Sequence, residues 1–223
     1  KNLALKRNVK YLFETNVGAG LPILSTLNDL LRSGDKIISI EAVLSGSLNF
    51  IFNTISDKLS FYDAVNMACQ KGLAEPDPRI DLSCKDVARK ILILSREAGD
   101  NVEMEEVKIQ SFLPDSCQKT NSIEDFMQKL KKEGDFFENI RNDAHAKDKR
   151  LRVVASYNKG KITVSLKQVE RDHPFYNMEG SDNIVLFKTK RYSNQPLVIK
   201  GSGAGPEVTA AGVFADIIRV SNI

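Results

Sequence analysis

Between Lys71 and Lys90 the chain reads KGLAEPDPRIDLSCKDVARK, a stretch that concentrates carboxylates and then sets Asp86 and Lys90 one helical turn apart. Pro76 and Pro78 fix their own φ and push Glu75 and Asp77 toward extended backbone, so Glu75, Asp77 and Asp81 are expected on a loop with little freedom. Carboxylates held that rigidly suit an ammonium-bearing ligand. Ser83 is the expected N-cap of the next helix, with Asp86 three residues on completing a capping box. Val87, Ala88, Ile91, Leu92 and Leu94 give that helix an apolar side flanking Lys90. An amine at the inner edge of such a helix, partly desolvated yet held by an aspartate one turn earlier, is arranged for proton transfer near neutral pH. Taken alone, Asp at i and Lys at i+4 is also the pattern of an ordinary surface pair.

The elements around this stretch alternate. Pro22, at a first helical position, opens an amphipathic helix with Ile23, Leu24, Leu27, Leu30 and Leu31 on one stripe, closed by Gly34. Residues 36–44 read as a strand. Ser47 begins a helix bearing Leu48, Ile51, Phe52 and Ile55, and Ser60 with Asp63 begins another that ends at Gly72. After the Lys90 helix comes a less ordered helical insertion, about residues 100–148, in which Ser122 caps SIEDFMQKLKKEG and a further helical stretch starts at Asp135. The remainder is β-rich. Residues 151–157 and 162–168 flank the hairpin signal Asn158-Lys159-Gly160-Lys161, and residues 183–190 and 196–200 supply two more strands. A glycine loop and helix, 201–222, close the chain. The order predicts an α+β fold: a mixed sheet with helices on one face and the other face buried by a second subunit.

Composition narrows the function classes. A net charge of +3, with acids interspersed among the basic runs at Lys129, Lys131, Lys132 and 147–152, argues for a solvated face and against a nucleic-acid surface. Cys69, Cys84 and Cys117 are odd in number and lack CxxC spacing, which with only His145 and His173 excludes a convincing zinc set and suggests a reducing cytosol. No apolar run approaches the roughly 18 residues of a membrane span, so neither membrane nor export is expected.

GLAEPDPRIDLSCKDVARK resembles the homoserine dehydrogenase signature GYxEPDPRxDLxGxDVARK. FETNVGAGLPI at 13–23, LSGSLNFIFN at 44–53 and GSGAGPEVTAAGVFADIIRV at 201–220 resemble further segments of that family, in the expected order. TAAGVFADIIR and DSCQKTNSIEDFMQKL resemble most closely the dehydrogenase half of bifunctional aspartokinase–homoserine dehydrogenases. The resemblance implies a cytoplasmic oxidoreductase that interconverts L-aspartate 4-semialdehyde and L-homoserine with NADP or NAD in threonine and methionine biosynthesis. It also implies a homodimer and a fusion to aspartokinase.

A complete Rossmann domain cannot be built here. Gly201, Gly203 and Gly205 follow a strand-like PLVIK, but Pro206 takes the sixth fingerprint position and 18 residues remain after Gly205. The chain therefore looks like residues 1–223 of a catalytic and dimerisation domain, a fragment expected to be inactive alone, whose 201–222 region packs toward a nucleotide domain elsewhere.

By the same resemblance Lys90 donates the proton and Asp86 orients it, while Glu75 and Asp81 hold the substrate ammonium. Gly46 and Ser47, at a helix start that favours an anion, match the family's substrate-contacting pair; a plain N-cap is the alternative there. Gly203, Ala204 and Gly205 match a loop that closes on the cofactor, and Gly72 a further cofactor contact, although Gly72 alone reads as a helix C-cap. Glu14, Val17, Ala19 and Leu21 match a monovalent-cation site, an oxygen cage for sodium. Leu73, Ile80 and Cys84 depart from the pattern, standing where the family has tyrosine, a common acid and glycine. A non-catalytic dimerisation or regulatory module of a larger enzyme is the competing expectation, and a dehydrogenase of another amino acid a third.

Overall fold

The computed structural model describes residues 1–221. Two short helices that the sequence pattern does not predict come first, α1 (Asn2–Lys6) and α2 (Thr15–Gly18). They are followed by α3 (Ile23–Arg32), β1 (Ile37–Val43), α4 (Gly46–Thr54), α5 (Phe61–Gln70), α6 (Pro78–Leu82) and α7 (Lys85–Glu97). A 3-10 turn at Met104–Glu106 leads to β2 (Lys108–Ile109), α8 (Asp115–Gln118), α9 (Ile123–Lys132) and α10 (Gly134–Ala146). Strands β3 (Arg150–Asn158), β4 (Lys161–Val169), β5 (Asp182–Thr189) and β6 (Leu197–Ser202) precede α11 (Pro206–Ser221). Residue 222, the expected end of the last helix, lies outside the described residues.

The strands form one sheet in the order β2-β4-β3-β1-β5-β6. Its pairs are antiparallel except β2 with β4, which is parallel and makes the sheet mixed. The β3–β4 hairpin turns through Lys159 (φ 47°) and Gly160 (φ 77°), the left-handed pair that matches strand twist. The α+β architecture expected from the sequence is therefore the one observed.

Side-chain alternation divides the strands between two cores. Ile40 and Ala42 of β1, Val153 and Ala155 of β3, and Val185 and Phe187 of β5 face the helices, where they meet Leu27, Leu48, Ile51, Ile91 and Leu94. Val43, Val154, Ile184 and Leu186 point to the opposite face. That face was expected to be buried by a second subunit, yet part of it is covered from within the chain: Phe175 and Met178, on the β4–β5 connection, cap this cluster. Arg152, only 1% exposed, locks the connection down. Its guanidinium donates to the carbonyls of Phe175 (3.0 Å), Tyr176 (3.1 Å) and Met178 (3.1 Å). Burial pushes the group down to about 10, so it still carries its charge at neutral pH.

The 100–148 segment is better ordered than its sequence suggested. Phe126, Leu130, Phe137 and Ala144 are buried in the main core, and Phe137 stacks on Phe61 of α5 with ring centroids 3.9 Å apart. Low apolar density hid this integration, because α9 and α10 bury one narrow stripe each. Ser122 caps α9 as expected, its hydroxyl accepting from Asp125 N at 3.0 Å. Elsewhere the boundaries shift by a residue or two. Pro22 is the N-cap of α3, since its own φ/ψ is not yet helical, and β6 runs on to Ser202. Among the described residues no helix is long and apolar enough to cross a membrane. Ser122→Ala should lower unfolding free energy by about 1 kcal/mol, the worth of a lost N-cap, as a lower urea midpoint at unchanged m-value.

Candidate active site

Antiparallel register brings three strand ends to one edge of the sheet. Val43, ending β1, pairs with Ile184 near the start of β5, and Asp182, starting β5, pairs with Ser202, ending β6. The chain leaves β1 through Leu44 and Ser45 into α4, and leaves β6 through Gly203, Ala204 and Gly205 into α11. Both turns touch the intervening segment, one at its backbone and the other at a side chain. A Cβ on Gly46 would fall 2.9 Å from Ser181 O, and one on Gly203 would fall 2.0 Å from Asn183 Nδ2. Glycine is thus demanded at both positions by the protein's own packing, a reason the sequence could not supply.

Lys90 reaches this edge from α7. Its Nζ lies 2.9 Å from Asp86 Oδ2 and donates to the Leu44 carbonyl at 3.0 Å, with the side chain 21% exposed. Asp86 is more open, at 56%. The amine is therefore held at the root of the turn that carries Gly46 and Ser47. From that turn a chain of hydrogen bonds continues to the acids. Ser45 and Ser47 Oγ are 3.0 Å apart, Ser47 donates to Asp81 Oδ1 at 2.6 Å, and Asp81 Oδ2 accepts from Glu75 N at 2.9 Å. Both Asp81 oxygens are oriented while a carboxylate's further lone pairs stay available for a cation. The Glu75 side chain is exposed.

Several local expectations are corrected. The N-cap of α4 is Ser45, whose hydroxyl accepts from Leu48 N, so Ser47 is free of the capping role and can serve Asp81. Asp81 stands on the short helix α6, not on a loop, because Asp77 caps that helix and Pro78 occupies its first turn. No capping box forms at Ser83. Ser83 is the C-cap of α6, its hydroxyl donates to Ile80 O, and the N-cap of α7 is Cys84 at φ 57°. That left-handed backbone explains the glycine of the family pattern at 84, since a side chain there costs about 1–2 kcal/mol. Burial pushes the Cys84 thiol up to about 12. Leu73 and Ile80, the other departures, are both exposed.

Gly72 (φ 65°) ends α5, with Gly72 N donating to Cys69 O and Leu73 N to Ala68 O. It follows Lys71, the C-cap of α5, as the left-handed residue that ends the helix, and open space surrounds its missing Cβ. Gly205 has φ 125° and equally open surroundings. Ala204 is exposed beside it, leaving bare backbone at the start of α11.

Glu14 is committed elsewhere. Its carboxylate, 5% exposed, accepts from Leu24 N (2.6 Å) and Ser25 N (2.8 Å) at the start of α3, and Arg219 Nη1 approaches to 3.4 Å. Both Glu14 oxygens are thus oriented by peptide N–H groups, with the Arg219 guanidinium beside them. Val17, Ala19 and Leu21 retain backbone carbonyls only, and that of Ala19 faces Gly212 of α11. Ser45, the Leu44 carbonyl and Asn183 escaped the sequence pattern. Only Ser45 carried a signal, as the serine before the first helical residue.

With this geometry in place, comparison assigns the chain. Residues 22–218 match the model of the homoserine dehydrogenase family, and the chain belongs to that family. It is 45% identical over 99% of its length to the bifunctional aspartokinase/homoserine dehydrogenase 1, chloroplastic, of Arabidopsis thaliana, and spans 24% of that protein. It is 43% identical over 94% of its length to the homoserine dehydrogenase of Schizosaccharomyces pombe, spanning 58% of it. A hyperthermophilic archaeal homoserine dehydrogenase solved in complex with NADPH superposes with a TM-score of 0.73 at 30% identity, covering 99% of this chain and 58% of that one.

Asp77 belongs to the scaffold of this site. It accepts from Arg79 N at 3.0 Å and from the guanidinium at 2.7–3.1 Å, and the Arg79 hydrogen bonds hold its carboxyl below the usual range. A depressed carboxyl stabilises the fold above its unfolded pKa, about 3.9, and that contribution is lost as pH falls through the lower folded value. The stability gap between wild type and Asp77→Asn should therefore narrow below about pH 4 in denaturant titrations. A gap that stays constant with pH would refute this role.

Proposed function

We propose that this domain carries the substrate half of an enzyme that interconverts L-aspartate 4-semialdehyde and L-homoserine. The observation that carries the proposal is the Lys90 amine, held between Asp86 and the Leu44 carbonyl at the turn whose Ser47 is tied to Asp81. Reducing an aldehyde requires a hydride on carbon and a proton on the emerging alkoxide. A bound NADPH or NADH would supply the hydride. Lys90 donates the proton, and Asp86 orients the Lys90 ammonium and the substrate hydroxyl. In the reverse direction Lys90 takes the hydroxyl proton back.

The two ends of the amino acid need opposite environments. Asp81, oriented by Ser47 and by the Glu75 peptide, binds the substrate ammonium together with the Glu75 carboxylate. The Gly46 and Ser47 peptide groups, at the first turn of α4, receive the substrate carboxylate. Gly203, Ala204 and Gly205 contact the cofactor, with Gly72 at the opposite side. The cofactor's main support comes from a nucleotide domain elsewhere in a longer protein, which packs on the exposed apolar face of α11 formed by Val213, Phe214 and Ile217. Homodimer formation through the part of the sheet that the β4–β5 connection leaves uncovered, and fusion to an aspartokinase, complete the proposal.

The parent protein should oxidise NADPH in the presence of aspartate semialdehyde. Lys90→Ala should lower kcat by about 10²–10⁴-fold, the usual worth of a positioned proton donor, with the thermal transition little changed. An inert parent, or a variant with unaltered turnover, would sink the assignment.

A further inference from the structure

Asn49 lies on α4, one turn after Gly46, and is 2% exposed. Its Nδ2 donates to Gly180 O at 3.2 Å and to Asp182 O at 3.3 Å, the two peptides that bracket Ser181. Asn53 adds a bond to Gly180 O at 3.3 Å. Ser181 O lies against Gly46, and Asn183 against Gly203. Residues 180–183 are thus a spacer wedged between the two glycine turns, and Asn49 grips both sides of it. The chain leading into it is anchored by Arg152, through the carbonyls of Phe175, Tyr176 and Met178. The amides also leave Asn49 Oδ1 and Asn183 Oδ1 buried with no partner among the described residues. Such groups cost stability, which argues that they are kept for placement.

We propose that Asn49 is a positioning residue for hydride transfer: by holding the Gly180 and Asp182 carbonyls it sets the separation between the Gly46–Ser47 turn and the Gly203–Gly205 turn. The inference rests on the proposed function, in which those turns carry substrate and cofactor. Reacting atoms brought together by two rigid turns are sensitive to their spacing, and a displacement of about 1 Å can cost about a hundredfold in rate.

The test uses the full-length enzyme, with Asn49→Leu removing the donors at similar volume. Turnover is compared for NADPH and for NADPH carrying deuterium at the transferred position. Expected is a kcat lower by about a hundredfold, a deuterium isotope effect on kcat larger than in wild type, and KM values for both substrates within about threefold. Restoring an amide one methylene longer, Asn49→Gln, should recover part of kcat. A purely structural role would reduce the folded fraction without enlarging the isotope effect, and that result overturns the proposal. If Asn49→Leu fails to fold, Arg152→Lys loosens the chain leading into the same spacer and must raise the isotope effect; an unchanged effect overturns the proposal equally. Activity of the wild-type parent keeps the two hypotheses apart. An inert parent defeats the proposed function, whereas an active parent with an indifferent variant defeats only this inference.

Discussion

The ion pair between Lys90 and Asp86 would be unremarked on an open helix surface, where such pairs contribute a few tenths of a kcal/mol. Its second bond changes its meaning. By also donating to the Leu44 carbonyl at 3.0 Å, the ammonium fastens α7 to the end of β1, the point from which Ser45, Gly46 and Ser47 are launched. A long flexible side chain is thereby reduced to one position, at Leu44, the residue before the turn whose Ser47 is hydrogen-bonded to Asp81. Stability gains little from the arrangement, because both ions retain some contact with water. Placement is what it provides.

Such placement is possible only on a stiff sheet. Strands β3 and β5 are buried on both faces, so they behave as a platform, with helices on one side and the β4–β5 connection on the other. Arg152 makes the second covering possible: a buried guanidinium with carbonyl partners fixes an irregular segment whose peptide groups would otherwise be unsatisfied. The same segment then supplies Ser181 and Asn183 to the two glycine turns. Close approach at Gly46 and Gly203 follows from this packing, and the open left-handed backbone at Gly72 and Gly205 from turn geometry. Four glycines of one apparent kind thus have two distinct physical causes.

Much of the fold was legible because its elements have strong local signatures. The stripe Ile23, Leu24, Leu27, Leu30 specifies α3, Ser60 and Ser122 cap their helices as read, and the hairpin turn at Lys159-Gly160 is where its residue types demand. Errors cluster where short-range cues compete. Ser45, Ser47 and Ser83 are all capable caps, and the choice of Ser45 depends on where β1 ends and how α4 packs. A five-residue helix such as α6 has too few positions for periodicity to show. Glu14, matched to a cation site by resemblance, also holds the first turn of α3, its buried carboxylate accepting from the Leu24 and Ser25 N–H groups, a long-range role that no local pattern announces.

By itself the sequence determined the family, the α+β alternation and the identities of Glu75, Asp81, Asp86 and Lys90, since residue type and near-neighbour spacing are local properties. Tertiary structure alone decided that Lys90 meets the carbonyl of residue 44, that Ser47 meets Asp81 across 34 positions, and that Asn49 meets residues 180 and 182 across more than 130. Those meetings depend on strand register and on how α4, α6 and α7 pack on the sheet, which are set by the summed burial of the whole core and cannot be read from any one segment.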